Sequence, residues 1–192
     1  MRLRLASASE RRRTLLEQVG LRPEVHPTHL DETRLPGEEA EAYVERLSLL
    51  KAAAGRDPNV DLVLGADTAV VLDGEILGKP ADQQEAEAML SRLSGRPHRV
   101  LTGVTLLGSP YPQGRSLVVE SGVWIKKLSQ AEIRAYVASG EPMDKAGAYG
   151  IQGLGAFLVA RVEGSWSGVA GLPLYETLGL LASFGLTFAP EE

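Results

Sequence analysis

Hydrophobic and polar positions follow two periods along the chain, and the changes between them predict its secondary structure. Near the N-terminus, leucines alternate with arginines in a predicted strand over residues 2–6, and a helix over residues 10–19 follows. The later predictions, in order, are strand 23–27, helix 36–55, strand 60–64 resuming at 69–72, strand 75–77, helix 82–93, strands 99–107 and 116–127, helix 129–139, strand 156–162 and helix 172–185. Strands interleaved with helices, and a long antiparallel pair in the second half, predict a mixed α/β fold.

Local signals refine these predictions. The run Val60–Leu64 is typical of a strand buried on both faces, and it is predicted to stop at Gly65–Thr68. Asp73 and Gly74 predict a two-residue hairpin turn, and Ser109–Gly114 a loop between the two long strands. Helical spacing within residues 36–55 predicts an apolar face made of Ala40, Tyr43 or Val44, Leu47, Leu50 and Ala54.

Composition narrows the class of protein. A chain of 192 residues suits a single domain over 1–192, compact or divided into two lobes. A net charge of −5 and 5% aromatic residues argue against a nucleic-acid binder. The chain contains no cysteine and three histidines, so any bound metal is expected to be Mg²⁺ or Mn²⁺ on carboxylate oxygens. No apolar run is long enough for a membrane span or a signal peptide, so we expect a cytoplasmic enzyme without a membrane partner.

Basic residues and serines at the first strand–helix junction are candidates for phosphate binding. Ser7–Arg12 lies where a helix begins, and free backbone N–H groups at such a position favour anions. The alternative, a capping serine followed by surface arginines, is favoured by this segment taken alone. Lys51 on a predicted helix and Lys79 between a glycine and a proline could also neutralise a polyphosphate, although helix lysines are usually solvated.

Carboxylates follow two predicted strands. Asp67 is predicted at the end of a strongly apolar strand, where it would need a partner or a metal to stay ionised, or would cap a turn. Asp31 and Glu32 lie in a loop and could supply a second carboxylate to a shared cation, or form a solvated acidic turn.

A glycine-rich segment, residues 141–153, shows neither a helix nor a strand period. Its Gln152 amide, with one donor group and one acceptor, could recognise the edge of a base, and the alternative is an irregular structural loop. The phosphate-loop, dinucleotide-binding and esterase motifs are all absent from the sequence.

Taken together, these segments resemble the Maf family of nucleotide pyrophosphatases along nearly the whole chain. Nine stretches match in order: Leu5–Arg12, Asp31–Thr33, Gly65–Thr68, Gly78–Pro80, Leu93–Arg96, Thr102–Val104, Gly140–Pro142, Asp144–Gln152 and Gly171–Pro173. Each stretch alone is a weak signal, and nine in family order are a specific one.

The resemblance implies an elongated fold with a twisted mixed sheet, flanking helices and a central cleft, like that of the inosine triphosphate (Ham1) pyrophosphatases. It implies metal-dependent hydrolysis of dTTP and UTP, or modified pyrimidine nucleotides, to the monophosphate and pyrophosphate, as nucleotide-pool housekeeping. A homodimer is also implied. Asp67 matches the catalytic acid/base position, whereas Arg11, Thr68 and Gln152 match the positions that set base preference.

From this we predict a metal site at Glu32 and Asp67 and a substrate site made of Ser7, Arg11, Arg12, Lys51, Thr68, Lys79 and Gln152. Two positions depart from the family pattern. Glu10 replaces a proline, and Leu50 replaces a glutamate that commonly precedes the lysine matched here by Lys51. The alternatives are a purine-directed pyrophosphatase on the same fold and a non-catalytic nucleotide sensor that regulates cell division.

Overall fold

The computed structural model describes residues 1–187 as a seven-stranded mixed sheet with helices. The strands are β1 (Leu3–Leu5), β2 (Glu24–Val25), β3 (Leu62–Leu72), β4 (Glu75–Leu77), β5 (Pro97–Gly108), β6 (Tyr111–Ile125) and β7 (Val159–Glu163). The helices are α1 (Glu10–Gln18), α2 (Ala40–Ala54), α3 (Gln83–Leu93), α4 (Gln130–Ala138), α5 (Trp166–Val169) and α6 (Leu174–Ser183). Three short 3₁₀ segments cover Glu141–Asp144, Ala146–Ala148 and Gly153–Leu158.

The strand order is β2-β1-β3-β5-β6-β7, with β4 paired to β3. The chain divides into two compact units. The first unit contains Met1–Asp67, Thr102–Val119 and the described chain from Gly171 onward, and the second contains Thr68–Leu101 and Glu120–Ala170. The single domain over 1–192 stays a prediction, and its residues 188–192 lie outside the described chain. Among residues 1–187, no helix has the length and apolar character needed to cross a bilayer.

Three neighbouring strands of the first unit, β2, β1 and β3, run parallel. Buried Leu5 lies between Val25 and Leu64 in the register, and α1 buries Leu15 and Leu16. Of these three strands, β3 is buried along its whole length apart from Thr68, as the apolar run Val60–Leu64 predicted.

The predicted break at Gly65–Thr68 was wrong, because β3 continues without interruption from Leu62 to Leu72. Gly65 lies inside the strand, where the backbone of α2 passes very close to it. A Cβ atom at Gly65 would lie 2.2 Å from the carbonyl oxygen of Ser48 and 2.5 Å from the amide nitrogen of Ala52. The glycine therefore marks a close backbone approach and not a strand end. As a result, Asp67 lies within a strand and not at its end.

Helix α2 also differs from its prediction. It begins at Ala40 and not near residue 36, because Glu39 is extended and Gly37 has a φ of 72°. Its buried face consists of Ala40, Val44, Leu47, Ser48, Lys51 and Ala52. Leu50, predicted on the apolar face, is 41% exposed, whereas Lys51 is only 7% exposed. A lysine on the buried face needs a charged partner, and α2 therefore points to a polar site.

The second unit is organised by predicted turns and caps. Asp73 and Gly74, both with positive φ, form the predicted turn between β3 and antiparallel β4. The Asp82 side chain caps α3 by accepting the Glu85 N–H, and Ser129 forms the predicted capping box at α4. Helix α3 packs against α4, and the core beneath them includes Leu72, Leu90, Val123, Ile133, Tyr149 and Leu158.

Two further predictions need correction, and one helix was not predicted. The predicted loop Ser109–Gly114 is shorter, since β5 ends at Gly108 and β6 begins at Tyr111. The last strand begins at Val159 and not at residue 156, because Gly153–Leu158 forms a 3₁₀ segment. Helix α5 was not predicted, and Ser165 caps it by accepting the Gly168 N–H. The remaining predicted strands and helices are confirmed with shifted ends.

Candidate active site

A buried ion pair lies where β3 passes α2 in the first unit. Lys51 Nζ donates to Asp67 Oδ1 at 2.6 Å, and each side chain is only 9% exposed. Burial makes an unpaired charge costly, so each charge depends on the other. The sequence predicted that Asp67 would need a partner or a metal, and the structure pairs it with Lys51.

Glu32 provides a second carboxylate at the same point. Its Oε1 lies 2.7 Å from Lys51 Nζ, and its side chain is 47% exposed. Two carboxylates therefore converge on one ammonium nitrogen, one from a strand and one from a loop. Glu32 is an exposed residue, and its carboxylate is also paired with the buried Lys51.

Two residues of α2 that the sequence analysis missed hold the Glu32 loop. The Tyr43 hydroxyl donates to the Glu32 carbonyl oxygen at 3.0 Å, and Arg46 Nη2 donates to the Thr33 carbonyl oxygen at 3.2 Å. Arg46 is itself held by an ion pair with Glu38 at 2.5 Å. Tyr43 and Lys51 are eight residues apart, which places both on one face of a helix. From this spacing, the sequence could have predicted that Tyr43 lies on the same side of α2 as Lys51.

The electrostatics of this cluster favour a carboxylate that can accept a proton. Burial raises the pKa of Asp67 above its ordinary value, while the positive charges of Lys51 and Arg12 counteract part of the rise. Burial, together with the negative charges of Asp67 and Glu32, raises the pKa of Tyr43 to about 12. Tyr43 therefore stays protonated at neutral pH and can keep donating its hydrogen bond.

The start of α1 brings an arginine to the same cluster. Ser9 is the N-cap of α1 and accepts the Arg12 N–H, so the capping alternative is confirmed for Ser9. Ser7 Oγ accepts from the Ser9 N–H at 3.1 Å and from Arg12 Nη1 at 3.2 Å, and Arg12 Nε donates to the Gly171 carbonyl oxygen at 2.8 Å. These contacts fix the guanidinium and leave the Ser7 hydroxyl proton to be donated elsewhere.

The charge of Arg12 is coupled to the acidic residues. The pKa of the Arg12 guanidinium is lowered, mainly by burial and also by the charge of Arg11. The negative charges of Asp67 and Glu32 oppose this decrease. The first unit thus brings Arg12 and Lys51 to two carboxylates, an arrangement suited to anionic phosphates beside a general base.

Comparison with known proteins identifies the family. The profile of the family described as "Maf-like protein" matches residues 2–184. The chain belongs to the Maf family.

Curated relatives of this Maf chain have a common name. A "dTTP/UTP pyrophosphatase" of Myxococcus xanthus (strain DK1622) is 55% identical over 184 residues, which is 95% of this chain and 92% of the relative. Proteins of the same name from Anaeromyxobacter sp. (strain Fw109-5) and Aromatoleum aromaticum are 53% and 49% identical, each over 96% of this chain and over 90% and 96% of their own lengths.

Solved structures match less closely. A nucleoside-triphosphatase / dITP/XTP pyrophosphatase from Mycobacterium abscessus has a TM-score of 0.42 and 18% identity, over 67% of this chain and 76% of its own. The Ham1 protein of Staphylococcus aureus has a TM-score of 0.47 and 16% identity, over 83% of this chain and 80% of its own.

The predicted site residues fall into two groups. Within the first unit, the cluster described above contains Ser7, Arg12, Glu32, Lys51 and Asp67, and Arg11 adjoins it through its sequence neighbour Arg12. Thr68 follows Asp67 in β3, and successive strand residues point to opposite faces, so the structure does not group its side chain with Asp67. Lys79 and Gln152 belong to the second unit. The functional roles of all the predicted site residues stay predictions.

Lys79 and Gln152 lie in irregular segments of the second unit. Lys79 is exposed after β4, where the Gly78 carbonyl oxygen accepts the Gly147 N–H at 3.0 Å. Gln152 is half-buried and immediately precedes the 3₁₀ segment Gly153–Leu158. Each backbone is therefore anchored close to the predicted functional side chain.

The side chains of Glu32 and Asp67 fit a divalent cation that is shared with a substrate. Within residues 1–187, no group of three or more His, Cys, Asp or Glu side chains is placed to hold a metal. Mg²⁺, however, commonly uses one or two carboxylates together with substrate phosphates and water. The convergence of Glu32 and Asp67 on the single nitrogen of Lys51 shows that both carboxylates can reach one cation.

Proposed function

We propose that this Maf chain is a dTTP/UTP pyrophosphatase, which hydrolyses these nucleotides, or modified pyrimidine nucleotides, to the monophosphate and pyrophosphate. The observation that carries the proposal is the buried Asp67 carboxylate, paired with Lys51 and electrostatically coupled to Arg12. Curated relatives that are 49% to 55% identical to this chain over most of its length are named for this activity.

In the proposed reaction, water attacks the α-phosphorus and Asp67 accepts a proton from it. A bond forms between the water oxygen and the α-phosphorus, and the bond from that phosphorus to the bridging oxygen breaks. Pyrophosphate leaves with the bond's electron pair. A raised pKa suits Asp67 for this role, because a base works best when its pKa approaches the working pH.

Cationic side chains stabilise the charge on the phosphates. Arg12 is held in place by Gly171 and Ser7, so it needs little reorganisation to bind phosphate oxygens. Lys51 adds a second positive charge beside Asp67, and Ser7 can donate its hydroxyl proton. A divalent cation held by Glu32 and Asp67 would add further positive charge at the phosphate oxygens.

Base preference is proposed to depend on Arg11, Thr68 and Gln152, and Lys79 is proposed to contact phosphate. These assignments rest on the resemblance of their motifs to the family pattern. A role in clearing nucleotides from the cellular pool would place the enzyme in the cytoplasm, and a homodimer is likewise proposed.

We expect pyrophosphate release with Mg²⁺ or Mn²⁺ to be faster from dTTP and UTP than from purine triphosphates. The measurement is pyrophosphate and orthophosphate release across canonical and modified nucleotides, repeated in ¹⁸O-labelled water. Label in the monophosphate indicates attack at the α-phosphorus, and label in pyrophosphate contradicts it. Fast purine turnover would support the purine-directed alternative, and tight binding without release would support the sensor.

Replacing Glu32 with glutamine should raise the Mg²⁺ or Mn²⁺ concentration needed for half-maximal activity at least about tenfold, because one anionic ligand is lost. Mn²⁺ binding, followed by electron paramagnetic resonance without nucleotide, should weaken in parallel. Glu45→Gln is the matched control, since Glu45 is exposed on α2. An unchanged metal requirement in Glu32→Gln would remove Glu32 from the metal site.

A further inference from the structure

One carboxylate in the second unit collects three hydrogen bonds and lies outside the cluster around Asp67. Glu141 Oε2 accepts the Leu154 N–H at 2.8 Å, and Oε1 accepts the Gly155 N–H at 2.8 Å and the Tyr136 hydroxyl at 2.9 Å. Burial alone would raise the pKa of Glu141, but the hydrogen bonds from Gly155, Leu154 and Tyr136 leave it lowered. Glu141 is therefore a charged acceptor that holds the backbone after Gln152.

Tyr136 holds the backbone on the other side of Gln152. Its hydroxyl oxygen accepts the Gly150 N–H at 3.1 Å while its proton goes to Glu141. The ring is 2% exposed and belongs to the core of the second unit, so the hydroxyl is fixed. Gly150 and Leu154 lie two residues before and two residues after Gln152. The pair Tyr136–Glu141 thus holds the segment 150–155 at both ends.

The segment packs too closely against this pair to shift. A Cβ atom at Gly155 would lie 2.2 Å from the Gly150 carbonyl oxygen and 2.5 Å from the Tyr136 hydroxyl oxygen. Gly153 has a φ of 66°, and a Cβ atom there would lie 2.7 Å from Glu141 Oε2. The backbone of Gln152 is extended, with a φ of −105° and a ψ of 168°, and the glycines at 153 and 155 that follow it lie against the pair.

We propose that Tyr136 and Glu141 are positioning residues for base selectivity, because they set the direction in which the Gln152 amide is presented. This inference rests on the proposed function, in which Gln152 recognises the base. An amide distinguishes a uracil edge from a cytosine edge only if its donor and acceptor face the right atoms, since these two edges exchange donor for acceptor. Loosening the backbone would let the amide turn, and the enzyme would lose discrimination before it lost hydrolysis.

The test is Glu141→Gln, measured as the ratio of kcat/KM for UTP to that for CTP. Glutamine keeps the size of the side chain, but its amide N–H group would face the N–H groups that the carboxylate now accepts. We expect the ratio to fall about tenfold or more, mainly through a higher KM for UTP with kcat largely retained. If Glu141 had only a structural role, kcat/KM would fall equally for both nucleotides and the ratio would stay unchanged.

Three further variants make the result decisive. Tyr136→Phe keeps the ring and removes the hydroxyl, so the ratio should fall in the same direction, and this variant decides if Glu141→Gln does not fold. Glu120→Gln, which removes an exposed partner of Arg99 in the same unit, should leave the ratio unchanged. Gln152→Ala gives the ratio expected when the amide is absent.

The outcomes separate this inference from the proposed function. A wild-type protein without pyrophosphatase activity on UTP and dTTP overturns both. A wild-type preference that Gln152→Ala does not alter overturns base recognition by Gln152, and this inference with it. A preference lost in Gln152→Ala but kept in Glu141→Gln and Tyr136→Phe overturns the positioning role alone.

Discussion

Replacing Asp67 with asparagine should lower kcat between about a hundredfold and about ten-thousandfold, because the amide cannot accept the proton of the attacking water. The fold should survive the change. Lys51, which now donates to Asp67 at 2.6 Å, can still donate to the asparagine carbonyl oxygen and remains paired with Glu32 at 2.7 Å. The measurement is single-turnover and steady-state pyrophosphate release, with thermal unfolding of each protein as the check on folding.

The control for this variant is Asp73→Asn. Asp73 has the same change of carboxylate to amide, lies in the β3–β4 turn with a φ of 53°, and makes an exposed ion pair with Arg96. Asparagine tolerates positive φ, so the turn should form normally. If Asp67→Asn turned over UTP at nearly the wild-type rate while remaining folded, Asp67 would not be the general base and the mechanism proposed above would fail.

Much of the chemistry could be predicted because it lies in residue types that are unusual for their positions. A carboxylate after an apolar run predicted the need for a partner or a metal, and the structure pairs Asp67 with Lys51. Serines before a helix start predicted a cap, and Ser9 provides it. In each case the sequence pattern and the structure have the same physical cause. A buried charge needs a partner, and a free N–H group needs an acceptor.

What could not be predicted depends on contacts between distant segments. Lys51 was predicted to bind phosphate, but its pairing with Asp67 was not, because nothing in helical spacing reveals that β3 brings a carboxylate to it. The roles of Tyr43 and Arg46 depend on carbonyl groups of the Glu32 loop, about a dozen residues earlier in the chain. Likewise, two of the three hydrogen bonds that the Glu141 carboxylate accepts come from backbone N–H groups, which leave no pattern of side chains in the sequence.

Glycine was the most misleading signal, and Gly65 is the clearest case. The segment Gly65–Thr68 brings a glycine and two polar residues after an apolar run, and this pattern predicted the break that β3 does not have. The same residue is also what permits the backbones of β3 and α2 to approach each other. Local sequence cannot distinguish these two uses, because the second depends on a helix that ends eleven residues earlier.

The second large effect is therefore expected for Gly65→Ala. The added methyl would lie 2.2 Å from the Ser48 carbonyl oxygen and 2.5 Å from the Ala52 amide nitrogen, which are backbone atoms that cannot rotate away. Helix α2 must move off β3, and Lys51, between Ser48 and Ala52 in sequence, moves with it. We expect a loss of roughly 3 kcal/mol in the free energy of unfolding and a fall in kcat.

The matched control is Gly179→Ala in α6, where a Cβ atom would meet nothing within 4 Å. Alanine favours a helix over glycine by up to about 1 kcal/mol, so this variant should be as stable as the wild type or slightly more so. Thermal and urea unfolding measure both changes. If Gly65→Ala were as stable as the wild type, α2 could move away from β3 without loss of stability. The close approach would then not be what holds Lys51 against Asp67.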